Sequence, residues 1–442
     1  MTSSQSPAPE HQPIGPVSSP DRIEALDITR GVAVLAILLM NIWSFGWPKE
    51  IFDYPPLLSH LDGAAVATWA FVHSLFEGSQ RTVFSILFGA GALMILGRLE
   101  QKDTPAHMKR IYVRRSFFLI IFGLVDAYIF MWPADILYVY GLCGFVLLPM
   151  RHMKVRSLIM VTILLLCIPT VIRIMEYQDT LQAKQAHEAA LHLAASGNPE
   201  QKAVSGDITD WQKKLKDARP GFQDATIQES IAIMQQGSLF QVFKKQAVGS
   251  LILQTIVTVK WWFVDALLAM IIGMILFRTG ILTLQAPKAT YRRLLFIGYG
   301  IGLPLSIWET ATLINSDFDP LQQAIVAFSY DIGRIAMALG HLAVILLFCR
   351  AKGFRVIKEP LAAVGRMALS NYLGQSILCG IIFYSFGFGL YGQLAGYWLY
   401  FVVLAVWIIE IIWSVAWLKR YKFGPFEWVW RSLTYGRRQA MR

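Results

Sequence analysis

Apolar runs of near-membrane length recur along this chain, and they leave few folds open. About ten can be drawn, separated alternately by basic clusters and by short acidic or uncharged loops. A bilayer core offers no hydrogen-bond partners to a peptide backbone, so runs of this length read as helices that satisfy their own. The expected fold class is all-α: a polytopic integral membrane protein with about ten transmembrane helices. Hydrophobic residues make up 55% of the sequence, charged residues 16%, and the mean hydropathy is +0.48. That balance excludes a soluble domain held on one anchor.

The formal charge is +11, but its location says more than its size. Basic residues gather in 98–115, 151–156, 278–293, 350–358 and 419–422. With ten spans drawn, all these segments fall on one side together with both termini. The positive-inside rule makes that side cytoplasmic. A multi-pass membrane location with both termini in the cytoplasm follows as the expectation. The lipid bilayer is the expected partner and nucleic acid is not, because the basic residues mark topology and form no continuous patch. Nothing in the sequence sets an oligomeric state. The four cysteines lie inside apolar runs, without disulfide or metal-ligand spacing, so no bound metal or cofactor is expected.

Five regions follow. Residues 1–21 read as a Pro/Ser-rich disordered cytoplasmic tail, 22–175 as N-terminal spans, and 176–246 as a polar extracytoplasmic insert. Residues 247–436 hold the C-terminal spans, and 437–442 a basic tail. Ala64–Leu75 is too short to cross and reads as an interfacial segment anchored by Trp69.

The stretch from Phe76 to Gly97 raises the chemical question. The apolar part, Thr82–Gly97, rises only roughly 24 Å as a helix, short of the ~30 Å hydrocarbon thickness. Spanning draws Arg81 and Glu77 into the membrane, four apart on one helical face in the order that favours an ion pair. A self-neutralising pair and a polar chamber near the outer side both account for them. Asp126 falls mid-span, where a carboxylate must be paired or protonated, and Asp135 sits at an outer hairpin turn where it could cap a helix. Asp27 and Arg30 open the first span and Asn41 lies deeper on it. Lys260-Trp261-Trp262 with Asp265 reads as an interfacial belt, and Asp331 with Arg334 as a second buried pair or more of the chamber lining. Asn371 and Gln375 form a polar stripe on an apolar helix that follows Arg366. Glu427 falls near the positive end of a helix begun by Gly424-Pro425.

Several of these segments together resemble the YeiB-like family of bacterial membrane proteins, domain of unknown function 418. They are Leu26-Asp27-Ile28-Thr29-Arg30-Gly31 with Asn41, Glu77-Gly78 with Arg81, and Phe88-Gly89-Ala90-Gly91. Asp135-Ile136-Leu137 with Tyr140-Gly141, Gly365–Tyr372 and Gly424–Thr434 complete the set. The chain has Ser79-Gln80 where the family usually has Lys-Phe, Ala134 where it has Gly, and lacks the His that the family tends to carry near Asp126. The first span is also similar to that of transmembrane acyltransferases.

That similarity implies acyl transfer from cytoplasmic acyl-CoA, the expected cosubstrate, to an extracytoplasmic sugar or lipid hydroxyl. On this expectation Asp126, Glu77 and Asp135 are the catalytic candidates. Asp27, Arg30, Asn41, Arg81, Arg366, Asn371 and Gln375 are the candidates for substrate and acyl-CoA binding. Glu77, Arg81, Asp126 and Asp135 are expected to line one chamber. The alternative is a transporter or lipid-handling protein that uses the same intramembrane charges.

Overall fold

A computed structural model describes residues 23–59, 63–102, 104–195 and 205–442; the tail expected at 1–21 lies outside them. The described residues are helical and contain no strand. Helix α1 (Glu24–Gly46) is followed by the short α2 (Lys49–Asp53), then α3 (Ala65–Phe76) and α4 (Ser79–Lys102). Next come α5 (Pro105–Tyr128), α6 (Leu137–Met150) and α7 (Val155–Ala195), then α8 (Ser205–Ala218), α9 (Ala225–Gln236) and α10 (Leu239–Ile252). A π-helical segment, Leu253–Trp262, runs straight into α11 (Phe263–Arg278). The C-terminal part holds α12 (Lys288–Asn315), α13 (Pro320–Arg350), α14 (Arg355–Arg366), α15 (Ala368–Phe383), α16 (Trp398–Leu418) and α17 (Pro425–Tyr435).

Among the described residues, seven helical stretches are long and apolar enough to cross a membrane by length and composition, and α6 and α15 are shorter apolar helices; α5 runs for 24 residues. Local chemistry sets several starts. Thr104 caps α5 ahead of Pro105, Asp319 caps α13 ahead of Pro320, and Ser238 with Gln241 forms a capping box on α10.

The loops sort to two ends. At one end Arg151 pairs with Glu100 at 2.6 Å, Arg278 donates to the Arg151 carbonyl, and Arg350 donates to Ala286 at 2.7 Å. Arg114 donates to Leu433 there, which brings the C-terminal helix to the same end. The basic segments thus contact one another, as the alternation requires. At the other end Arg219 donates to the Ser316 carbonyl, Gln246 to Met131, Gln235 to Tyr391, and the Gly392 amide to Gly46. The 176–246 insert therefore packs on the non-basic loops. It is not a separate unit, since α7 continues unbroken from the apolar run at 158–174 to Ala195.

Helix α1 is the axis of the bundle, with 72% of its apolar window buried, against 6% for α7. Its C-terminal end is fixed by indole donors: Trp47 to the Leu394 carbonyl at 2.6 Å and Trp43 to Tyr400 at 2.8 Å. Helices α4 and α11 come together backbone to backbone. A Cβ on Gly89 would strike the Met270 carbonyl, and one on Gly273 the Ile86 carbonyl. That contact explains why Phe88-Gly89-Ala90-Gly91 carries small residues in a spanning helix.

Two local expectations are overturned. Trp69 is not an interfacial anchor: it is 3% exposed and stacks on His73 with centroids 4.3 Å apart. Glu77 and Arg81 do not share a helical face either. Helix α3 ends at Phe76, Gly78 takes φ +65°, and α4 starts at Ser79. The pattern of apolar residues crosses this joint without a mark, and only the glycine signals it.

Candidate functional site

The break at Gly78 makes room for a side chain from another helix. The Arg334 Cδ and the Tyr330 hydroxyl occupy the space a Cβ would take. Arg334, 2% exposed at its side chain, reaches from α13 to Asp265 on α11 at 2.5 Å and to Asp331 at 3.1 Å, and donates to the Thr82 hydroxyl. Asp265 also takes Arg81 at 3.2 Å, and Asp331 takes Arg173 of α7 at 3.0 Å. One chain of five charges results, Arg81–Asp265–Arg334–Asp331–Arg173, drawn from four helices. Glu77 stands beside it and accepts from the Tyr330 hydroxyl at 3.2 Å. Asp265 therefore belongs to this cluster and is no part of an interfacial belt.

These groups line a chamber of about 1040 Å³ at the end opposite the basic loops. Trp261 and Trp262, the last turn of the π-helical segment, contribute to its wall. The π form is rare beyond single-turn bulges and tends to mark functional sites; here it sets these rings and Asp265 on the chamber side. Arg173 lies over the Trp261 ring at 5.3 Å.

A second, smaller cavity of about 200 Å³ opens among the basic segments. Arg30, Arg115, Arg366 and Arg431 line it, with Asp27 and Glu427. The two acids are committed: Asp27 pairs with Arg30 at 3.0 Å, and Glu427 reaches the start of α15. There it accepts the amides of Leu369 (2.7 Å) and Ser370 (3.0 Å) and the Ser370 hydroxyl. The Glu427 carboxylate caps a neighbouring helix and not its own, so the Gly424-Pro425-Phe426-Glu427 motif is a clasp between α17 and α15. Arginines outnumber the acids, which gives the cavity an excess of positive charge toward an anion.

A layer of aromatic side chains flanks α4 between its chamber-lining Arg81 and its cavity-lining Phe88. Tyr140 of α6 stands 5.2 Å from Phe88, which lines the basic cavity, and 5.9 Å from Phe84. Its hydroxyl meets Ser85 Oγ at 2.5 Å and donates to the Arg81 carbonyl at 3.4 Å. Arg81 lines the chamber, and Phe88 is seven residues further along α4, roughly 10 Å by helical rise.

The expected single chamber containing Glu77, Arg81, Asp126 and Asp135 is not what forms. Asp126 and Asp135 are 0% and 1% exposed and line neither space. The turn after α5 carries Trp132 into the core against Phe45, centroids 3.8 Å apart, and closes both carboxyls between α5, α6 and α15. Asp126 lies against Asp135 and Ser376 without a hydrogen bond of ordinary geometry. Asp135, in the turn, accepts from the Tyr138 amide at 2.8 Å and the Tyr372 hydroxyl at 3.4 Å. Burial pushes its carboxyl up to about 6 despite those donors.

Asn371 and Gln375 are engaged by protein groups. Asn371 donates to Val364 and Ser414 and accepts from Trp413, while Gln375 donates to the Val34 carbonyl (2.9 Å) and to Glu410 (3.1 Å). Asn41 lies half-buried on α1 and lines neither cavity. Asp27, Arg30 and Arg366 do meet at one site. Sequence reasoning passed over His73, Arg173, Glu309 and Glu410. Glu410, 2% exposed inside α16, is a lone acid in an apolar run, which is the signal that could have found it.

Fold and cavities define a polytopic helical membrane protein with a charged chamber at one end and an arginine-lined cavity at the other. Comparison with known proteins adds what the chain is similar to. Residues 276–437 match the family described as "Protein of unknown function (DUF418)". The chain is 28% identical to the uncharacterized protein YeiB of Escherichia coli strain K12 over 417 residues, covering 94% of this chain and 96% of that protein. It is 27% identical to the uncharacterized protein YxaH of Bacillus subtilis strain 168 over 446 residues, covering 95% and 96%. No solved structure matches it. The resemblance carried by the sequence motifs thus holds nearly end to end.

Proposed function

We propose that this protein transfers an acyl group from cytoplasmic acyl-CoA to a sugar or lipid hydroxyl on the outer side of a bacterial inner membrane. One observation carries the reading: α4 contributes Arg81 to the charged chamber and Phe88 to the arginine-lined cavity, with an aromatic layer beside the stretch between them, carboxylates in the first space and arginines in the second. Arg30, Arg115, Arg366 and Arg431 take the phosphates, with the basic end placed in the cytoplasm. The acyl thioester passes the layer at Phe88 and Tyr140 and enters the chamber. There Glu77 accepts the proton of the attacking hydroxyl. The hydroxyl oxygen bonds to the thioester carbonyl carbon, the carbon–sulfur bond breaks, and the proton passes to the departing thiolate. Arg81, held by Asp265, faces the negative charge that develops on the carbonyl oxygen. Asp126 and Asp135 act at a distance in this scheme, through the turn they close.

Acyl-CoA carrying a radiolabelled acyl group, incubated with the purified protein and membrane glycolipids, tests the proposal. Label on a glycan or lipid, absent with Glu77→Gln, is the expected result; no consumption of acyl-CoA under any acceptor overturns it. The aromatic layer beside α4 also suits a gated transport path. That second reading predicts movement of an unmodified solute with no acyl-CoA requirement.

A further inference from the structure

The outer chamber holds a surplus of hydrogen-bonding groups that the ion pairs do not use. Trp69 is buried, yet its indole N–H has no hydrogen-bond partner, and neither has Nε of Arg173 or of Arg334. All three residues line the chamber. Glu309, 7% exposed, offers acceptor oxygens there, with one taking the Ser329 hydroxyl at 2.5 Å. Guanidinium and indole only donate, and carboxylate only accepts. A ligand served by both must donate and accept at its own groups, as hydroxyls do.

Charge narrows the class further. The arginines and aspartates alternate along one chain, and the lining Lys49, Lys214 and Lys260 each pair with an acid, so cationic and anionic groups are interleaved around the chamber. A free anion meets Asp265, Asp331 and Glu77, and a free cation meets the arginines. The wall between the charges carries the aromatic rings of Trp69, Trp262 and Tyr330 beside Leu268, Leu313 and Val326. The volume of about 1040 Å³ reaches the top of the ~300–1,000 Å³ range of small-molecule pockets.

Resting on the acyl-transfer reading, which leaves sugar and lipid acceptors open, we infer that the outer chamber is a saccharide site. Its neutral polyhydroxyl ligand takes donors from Trp69, Arg173 and Arg334 and acceptors from Glu77 and Glu309.

The full chain in phosphatidylethanolamine/phosphatidylglycerol nanodiscs, without acyl-CoA, provides the test. Saturation-transfer NMR is run with maltose, N-acetylglucosamine, glycerophosphocholine, glutamate and inorganic phosphate. Signal transfer to one or both saccharides is expected, competed by the other. Trp69→Phe keeps the ring and removes the N–H, and should weaken that binding roughly five- to tenfold. Arg173→Lys, which keeps the charge at a more peripheral position, checks the donor set without emptying the core. Binding of glycerophosphocholine, glutamate or phosphate in place of the saccharides overturns the inference, as does the absence of binding by every probe. Saccharide binding without any acyl transfer leaves the site standing and removes the enzyme reading. Acyl transfer to lipid with no saccharide binding does the reverse.

Discussion

Removing Arg334 tests the charge chain most severely. Its guanidinium is 2% exposed and meets Asp265 at 2.5 Å and Asp331 at 3.1 Å, both carboxylates being 16% exposed. Arg334→Gln leaves one carboxylate with Arg81 and the other with Arg173, and nothing between them. Breaking a buried pair from one side costs about 3–5 kcal/mol, because the remaining charge keeps its desolvation. Arg81 is 29% exposed, and Asp265 keeps Arg334 when Arg81 is changed. Arg81→Gln should therefore cost about 1 kcal/mol. Equilibrium unfolding in detergent micelles, read by tryptophan fluorescence, separates the two. Asp265→Asn added to Arg334→Gln should cost less than the sum of the single changes, as expected for contacting groups. The exchange Glu77→Arg with Arg81→Glu should not recover stability, since it sets a new carboxylate beside Asp265. An Arg334→Gln protein within 1 kcal/mol of the native chain, or recovery by the Glu77/Arg81 exchange, would refute the arrangement.

Further outcomes follow from the same geometry. Gly78→Ala sets a Cβ at φ +65° against Arg334 and Tyr330, so it should destabilise by more than the ~1 kcal/mol of an ordinary Gly/Ala exchange in the same unfolding assay. Asp135 has its carboxyl raised to about 6, so the native state binds its proton more tightly than the unfolded chain does. Stability from this group is full below its unfolded value and is lost as pH rises toward 6. Asp135→Asn should therefore gain on the native protein between about pH 4 and 6, and a melting-temperature difference constant across that window would contradict this. Arg115, whose guanidinium sits 3.7 Å over the Trp430 ring, should lose about tenfold in acyl-CoA affinity as Arg115→Gln, from one charge-assisted hydrogen bond. Calorimetry that finds unchanged affinity removes Arg115 from the phosphate site.

Much of the fold was legible because bilayer physics writes it plainly. Apolar run length and the alternation of basic clusters pointed to about ten crossings and two ends; the described residues hold seven long apolar helices, two shorter ones and loops sorted to two ends. The site was legible in part. Glu77 and Arg81 were singled out by their depth, Asp27, Arg30 and Arg366 by their position, and all five line cavities. Their partners were not readable: Arg81 meets Asp265 across 184 residues, and no local pattern encodes such a distance. The helix joint at Gly78 was hidden because one glycine inside an apolar pattern is ordinary. Asp135 was correctly placed in the turn after α5, whereas Asp126, expected mid-span, lies in the last turn of that helix. Which way the turn would face depends on Trp132 entering the core beside Phe45, a packing choice and not a motif. Asn371 and Gln375 looked like a functional stripe, and their polar groups are taken up by Val364, Ser414, Trp413, Val34 and Glu410.

The central claim is that an acyl group crosses from the arginine-lined cavity to the charged chamber. Sidedness tests it most directly. Proteoliposomes with the basic end facing inward are loaded with labelled acyl-CoA and supplied with saccharide acceptor outside only. The account predicts labelled product outside and free CoA inside, both abolished by Glu77→Gln. Product formed only when acyl-CoA and acceptor share one compartment would contradict it.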